Sequence, residues 1–282
     1  MKFITYSYEN KECVGILTEQ GVMPLTEFTS MIDLIENFSE DVFKENFLGY
    51  IPLNEVKLLA PIPRPRRNIL CLGKNYEDHA KELGATKISD KFIPDDPIYF
   101  TKSADAVIGT NDYIKFFPEV TNQVDYEVEL AVIIGKEGVN IKPDEAEHYI
   151  FGYTIINDVS ARDLQLRHKQ WFKAKSLDTF CPMGPCIVHK SKLPFPIELD
   201  IKCSVNGEVR QNSNTSKFIF DIPYMISDLS KGFTLKPGDI IATGTPSGVG
   251  FGFNPSKFLK DGDIVECYVE GIGSLINIVK AV

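Results

Sequence analysis

Val124-Asp125-Tyr126-Glu127-Val128-Glu129-Leu130-Ala131-Val132-Ile133-Ile134-Gly135 reads as one β-strand. Its second half, Leu130 to Gly135, is an apolar run typical of a buried strand. Its first half alternates. Asp125, Glu127 and Glu129 share one face, and Val124, Tyr126, Val128 and Leu130 share the other. Three like charges on one face repel each other, and burial raises their pKa values unless a cation compensates. Glu127 and Glu129 are separated by about 7 Å along a strand, so both can reach one ion. All-oxygen ligands suit Mg²⁺ or Mn²⁺ better than Zn²⁺. From the pattern alone, the same row also reads as the solvated outer face of an antiparallel strand.

The rest of the chain sets the frame for this strand. With 282 residues, 43% hydrophobic and 24% charged, it has the length and composition of one large domain, or one domain plus a small appendage. No apolar run approaches the roughly 18 residues of a membrane span. A net charge of −9 disfavours nucleic acid as the main partner. Met1-Lys2-Phe3-Ile4 enters a strand-like pattern at once and does not read as a signal peptide. Six cysteines, at 13, 71, 181, 186, 203 and 267, make no C-x-x-C pair and read as reduced, mostly buried thiols. The expectation is a cytoplasmic protein without membrane contact.

Residues 1–59 form a small N-terminal unit of α/β character. Phe3 to Tyr8 and Cys13 to Thr18 are strand-like, and Ser30 can cap a short helix carrying Met31, Ile32, Leu34 and Ile35. Three alternating prolines in 60–67 fix an extended linker. From 68 to 282 strands predominate. Asn206-Gly207 marks a hairpin, and helices are expected only near 75–83, 143–148, 160–172 and 222–231. Asp221 can cap the last. The fold class is mainly β with a few helices (α+β).

Further chemistry lies on both sides of the acidic strand. Phe151 to Asn157 is a second apolar run, and it ends in Asp158. Asp158 is a third metal ligand or the N-cap of the next helix; Asp163 reads as the partner of Arg162 or Arg167. His79 and Glu82 are three residues apart on a short helix, as an oriented general base requires, although an exposed helix with incidental pairing has the same spacing. From 162 to 175 basic residues dominate, and Trp171 and Phe172 are placed to cover them. Most of these cations read as solvated, with Lys175 singled out as a site residue. The glycine-rich loop Gly244 to Gly252 lacks the marks of a P-loop. It can present backbone N–H groups and the Thr245 hydroxyl to a carboxylate, or be a plain turn.

Together these stretches resemble the fumarylacetoacetate hydrolase family over about residues 61–282. The motifs are Gly73-Lys74-Asn75-Tyr76 with His79 and Glu82, Asp125-Tyr126-Glu127-Val128-Glu129, Asn157 to Asp163, Ala174-Lys175-Ser176, Asn206-Gly207 and Thr243 to Gly250. The similarity is greatest to a short bacterial branch with acylpyruvate hydrolases and oxaloacetate decarboxylases. It implies a β-roll-like mixed core, a homodimer, and one Mg²⁺ or Mn²⁺ on Glu127, Glu129 and Asp158. It further implies catalytic roles for His79, Glu82 and Lys175, and contacts from Arg162, Gln165 and Thr245 to a small anionic 2-oxo acid. The activity expected first is C–C cleavage: oxaloacetate decarboxylation, or acylpyruvate hydrolysis releasing pyruvate. Keto–enol tautomerisation is the alternative on the same site. A metal-binding family member with a regulatory role is the reading of another class. The loop 84–97 is expected to let the His79–Glu82 helix move as a lid.

Overall fold

The structure, a computed structural model, describes residues 1–39, 49–84 and 93–282. The loop expected beside the lid helix therefore lies, over 85–92, outside the described residues, as does 40–48 of the N-terminal unit.

A large mixed sheet forms the centre. In spatial order it contains Gly21–Pro24, Lys11–Thr18, Lys2–Tyr8, Cys181–His189, Ile150–Asn157, Val128–Ile134, Ile240–Ala242, Ile69–Gly73 and Ile98–Lys102. Neighbours are antiparallel except Ile240–Ala242 beside Ile69–Gly73. A second sheet orders Glu208–Asn214, Asp200–Val205, Ile264–Val269, Gly273–Ala281 and Tyr113–Phe116. The expected hairpin at Asn206-Gly207 joins its first two strands, with Asn206 and Gly207 both at positive φ. Lys2 and Phe3 pair with Val188 and Ile187, so strands from both sides of the Pro-rich stretch share the central sheet.

The strand Val128–Ile134 is buried along its whole length and feeds two cores. Leu130, Val132 and Ile134 join Ile201, Val265 and Leu275 in the core that includes the second sheet. Ala131 and Ile133 join Phe3, Val14, Met31 and Leu34 of the N-terminal unit. The helix Met31–Glu36 is capped as expected, Ser30 accepting from the Asp33 N–H. Asp221 likewise accepts from the Tyr224 N–H and starts Ile222–Leu229.

Two local expectations need correction. The acidic stretch is not one strand: Val124–Asp125 pairs with Ser160–Ala161, and Val128–Ile134 pairs with Ile150–Asn157. Between them three successive N–H groups donate to side chains instead of a ladder: Tyr126 to Asp125 Oδ1, Glu127 to Asn157 Oδ1 and Val128 to Gln211 Oε1. The helix expected over 160–172 is the shorter Arg162–His168, ended by Lys169 at φ +57°, and a separate turn of helix, Phe172–Lys175, follows.

Asn75 ties the root of the helix Glu77–Gly84 to the core. Its Nδ2 donates to Phe220 O at 3.0 Å and Thr243 O at 2.8 Å, and its Oδ1 accepts from the Phe220 N–H at 2.8 Å. Asn75→Ala leaves these buried backbone groups unpaired, so chemical denaturation should show a loss of more than about 2 kcal/mol.

Candidate active site

Two adjacent strand ends gather the carboxylates. Glu127 precedes Val128–Ile134, Glu129 is its second residue, and Asp158 follows Ile150–Asn157. The register Val128↔Asn157 brings these ends to one edge, where the Asp158 N–H donates to Glu127 O at 2.8 Å. One oxygen from each of Glu127, Glu129 and Asp158 lies within 4.8 Å of the others, and all three residues are buried. Asp158 is not a helix cap; that position belongs to Ala161. Asp163 accepts from Thr121 Oγ1 at 2.7 Å instead of pairing with Arg162 or Arg167.

Three buried cations answer these charges unevenly. Lys175 Nζ stands 2.6 Å from Glu127 Oε2 and 2.7 Å from Asp158 Oδ2. Lys102 Nζ is 2.6 Å from Asp158 Oδ1 and also donates to Val159 O. Arg162 pairs through Nη2 with Glu127 Oε1 at 2.6 Å, through Nε with Asp125 Oδ2 at 2.8 Å, and donates from Nη1 to Gln165 Oε1 at 3.0 Å. Nη2, although close to that Glu127 oxygen, has no partner in hydrogen-bond geometry. Among the described residues no ion pair reaches Glu129, whose Oε2 accepts only the Gly244 N–H, at 2.8 Å.

The electrostatics follow from this distribution. Burial pushes Glu127 up, but Lys175, Arg162 and His79 outweigh it and hold its carboxyl well below the usual range. Burial works to lower the Lys175 ammonium, and Asp158 and Glu127 reverse that, leaving it above its ordinary value. Glu129 goes the other way: burial first, then the charges of Asp158 and Glu127, push it well above the glutamate range. A buried, all-oxygen triad with one member short of a counter-charge fits a hard divalent ion.

His79, on the helix Glu77–Gly84, is 3% exposed, and its Nδ1 lies 3.1 Å from Glu82 Oε2. A cavity is lined by Leu72, Gly73, Lys74, His79, Phe100, Glu127, Glu129, Arg162, Gln165, Trp171, Lys175 and Thr245. It brings together seven of the nine residues singled out from the sequence; Glu82 and Asp158 stand behind His79 and Lys175. Trp171 reaches the cavity, whereas Phe172 is exposed. Arg167, Lys169 and Lys173 are exposed, as expected for a solvated face.

The glycine-rich loop does present backbone N–H groups to carboxylates, and these carboxylates are the protein's own, while the Thr245 hydroxyl meets Gln211. Its N–H groups serve protein carboxylates: Gly244 donates to Glu129, Gly248 to Glu82, and Gly250 and Phe251 to Asp125. Thr245 Oγ1 accepts from Gln211 Nε2 at 2.8 Å. Sequence reasoning missed Lys102, a lone lysine ending an ordinary strand, and Gln211, which holds both Thr245 and Val128. Neither carries a local signal. The six cysteines are free; beside the acid cluster, burial raises the Cys71 thiol well above its ordinary value and pushes Cys181 up to about 12, so these two are poor nucleophiles.

A mixed β core carrying a buried acid triad and a His–Glu pair defines a fumarylacetoacetate hydrolase-type protein. The profile of that family, fumarylacetoacetate (FAA) hydrolase C-terminal, matches residues 68–280, and the chain belongs to it. Oxaloacetate tautomerase YisK of Bacillus subtilis (strain 168) is 56% identical over 225 residues, 80% of this chain and 73% of that one. The crystallised fumarylacetoacetate hydrolase of Exiguobacterium antarcticum superposes with a TM-score of 0.87 at 39% identity, covering 100% of both chains. Maleylpyruvate hydrolase of Sphingobium sp. SYK-6, solved with manganese(II) and pyruvate, gives a TM-score of 0.80 at 29% identity, over 100% of this chain and 99% of that one.

Two outcomes are expected at this site. Lys102→Met strips a fully buried Asp158 of one counter-ion and should cost about 3–5 kcal/mol in denaturant unfolding. Divalent metal uptake should release protons. In the pH window between the ordinary glutamate value and the raised one, folded Glu129 holds a proton that unfolded Glu129 lacks; stability therefore falls as pH rises through that window, and a cation replaces the proton. Calorimetric Mg²⁺ or Mn²⁺ titration in two buffers of different ionisation enthalpy measures the release.

Proposed function

We propose that this chain is an Mg²⁺- or Mn²⁺-assisted enzyme of small 2-oxo acids, and that its reaction is keto–enol tautomerisation of oxaloacetate. The observation that carries this reading is the meeting of His79, Lys175 and the acid triad in a single cavity. A proton shift between C3 and the 2-oxo oxygen needs two proton-handling groups beside one charge-stabilising centre, and it consumes no water. Similarity to a tautomerase supports placing it ahead of the C–C cleavage expected from sequence.

Glu127, Glu129 and Asp158 would hold the ion, which supplies Lewis acidity toward the 2-oxo group and its neighbouring carboxylate. Glu82 accepts the Nδ1 proton of His79 and so leaves Nε2 as the base for the C3 proton. Lys175, kept protonated by Asp158 and Glu127, would stabilise developing enolate charge and be the second proton-handling group, giving the enol oxygen the proton that balances the one His79 takes from C3. Arg162 keeps Glu127 and Gln165 in place. Gln165 and Thr245 complete the lining that a carboxylate of the substrate would meet.

A second reading is hydrolysis of an acylpyruvate, favoured by the likeness to maleylpyruvate hydrolase. There His79 deprotonates a water. Decarboxylation of oxaloacetate needs no water and stays with the cleavage readings. The homodimer is proposed from the family resemblance, and light scattering measures it.

The deciding experiment follows enol-oxaloacetate by ultraviolet absorbance and pyruvate by a coupled assay, with Mg²⁺, with Mn²⁺ and with chelator. Accelerated enol loss without pyruvate is the expected result. Pyruvate release above the metal-only background replaces tautomerisation by cleavage, and metal uptake with neither signal supports a regulatory role. Glu127→Ala and Glu129→Ala should each abolish turnover and metal uptake with the fold retained. His79→Ala should lower kcat by about 10²–10⁴-fold, the usual contribution of a general base.

A further inference from the structure

We propose that Gly252 is a positioning residue: with Gly248 it forms a cradle that docks the Glu82 carboxylate and thereby fixes His79. The inference rests on the role proposed for His79, but its main test does not depend on any reaction.

The two glycines are required for different reasons. Gly248 has φ +101°, and a Cβ there would lie 1.9 Å from the backbone oxygen of Arg210. Its own backbone demands glycine, and its N–H donates to Glu82 Oε1 at 3.1 Å. Gly252 lies in a single 3₁₀ turn, Gly250–Gly252, closed by its N–H on Val249 O at 3.0 Å. It is not among the residues with positive φ, so its backbone tolerates any L-residue. A Cβ at 252 would meet Glu82 Oε1 at 2.0 Å, Cδ at 2.3 Å and Cγ at 2.6 Å, and these are its three nearest atoms. The glycine at 252 therefore answers to one side chain.

Glu82 is held on three sides: by His79 Nδ1, by the Gly248 N–H and by the bare Cα of Gly252. The same turn is anchored below by Asp125, which accepts from the Gly250 and Phe251 N–H groups at 2.6 and 3.0 Å. A methyl at 252 evicts the carboxylate, the mobile partner, sooner than it moves this anchored turn. His79 then loses the partner that sets its tautomer.

The test is a double-mutant cycle on the full chain, read by thermal unfolding. Gly252→Ala should lower the Tm in the parent. In the Glu82→Ala background it should leave the Tm unchanged or raise it, because the clash is gone and alanine restricts the unfolded chain. Gly248→Ala should lower the Tm in both backgrounds. An equal loss from Gly252→Ala in both backgrounds overturns the cradle. If Gly252→Ala alone does not fold, folding of the Gly252→Ala/Glu82→Ala double variant supports it, and failure of that variant overturns it. In the enol-oxaloacetate assay Gly252→Ala should match Glu82→Ala in kcat and pH profile, with the double variant no slower than either. Coupling in Tm from a parent that turns nothing over supports the cradle and overturns the proposed function.

Discussion

Four carboxylates, Asp125, Glu127, Glu129 and Asp158, are held out of water within reach of three buried cations, Lys102, Arg162 and Lys175. Each ion carries a desolvation penalty of several kcal/mol, so the arrangement is tolerable only if nearly every oxygen is paired. That constraint explains features that otherwise look unrelated. The acidic stretch breaks as a strand because its N–H groups are needed by side chains. The glycine-rich loop turns its N–H groups inward because Asp125, Glu129 and Glu82 lack enough cations. No ion pair among the described residues reaches Glu129, and it is the carboxylate pushed up in pKa. One carboxylate of the buried triad is thus left without a counter-ion of its own.

The loop Gly244 to Gly252 links this cluster to the His79–Glu82 pair. One side holds Glu129 and Asp125, the other holds Glu82, and Arg162 lies 6.0 Å over the Phe251 ring. The geometry of His79 is therefore not set by its own helix alone. Its carboxylate partner rests on a turn whose position depends on Asp125, and Asp125 shares Arg162 with Glu127. Asn75 fixes the root of the His79 helix from another direction, through Phe220 and Thr243. The His79–Glu82 pair and the acid cluster are mechanically one unit within the described residues.

Much of this was legible in the sequence where the signal is local. Ser30 and Asp221 as caps, the Asn206-Gly207 hairpin and the i, i+3 pair His79/Glu82 each depend on a few neighbouring residues, and each is where it was expected. Three acids in one row were also visible, but their division of labour was not. Asp125 is set apart by the Gly250 and Phe251 N–H groups, 125 and 126 positions away, and Glu127 by Lys175, 48 positions away. Lys102 ends a strand with no motif around it, and Gln211 is one polar residue in a hairpin. Their roles come from register between distant strands, which no single stretch encodes. The helix over 160–172 was overextended because its basic periodicity continues past Lys169, where the backbone turns to positive φ.

The site's economy also explains why one fold hosts several chemistries. An ion that polarises a 2-oxo acid, an oriented imidazole and a fixed ammonium are common to tautomerisation, decarboxylation and hydrolysis. What differs is whether water can reach the distal carbon and which bond there is weakest. The cavity wall here includes Leu72, Lys74, Phe100 and Trp171. Three of these are apolar or aromatic. A wall of that kind excludes water from an enolate and favours return of the proton over nucleophilic attack, whereas a wall that admits an ordered water turns the same base into a hydrolytic one. In such a site the shared groups would set the substrate class, and the cavity wall the choice of reaction.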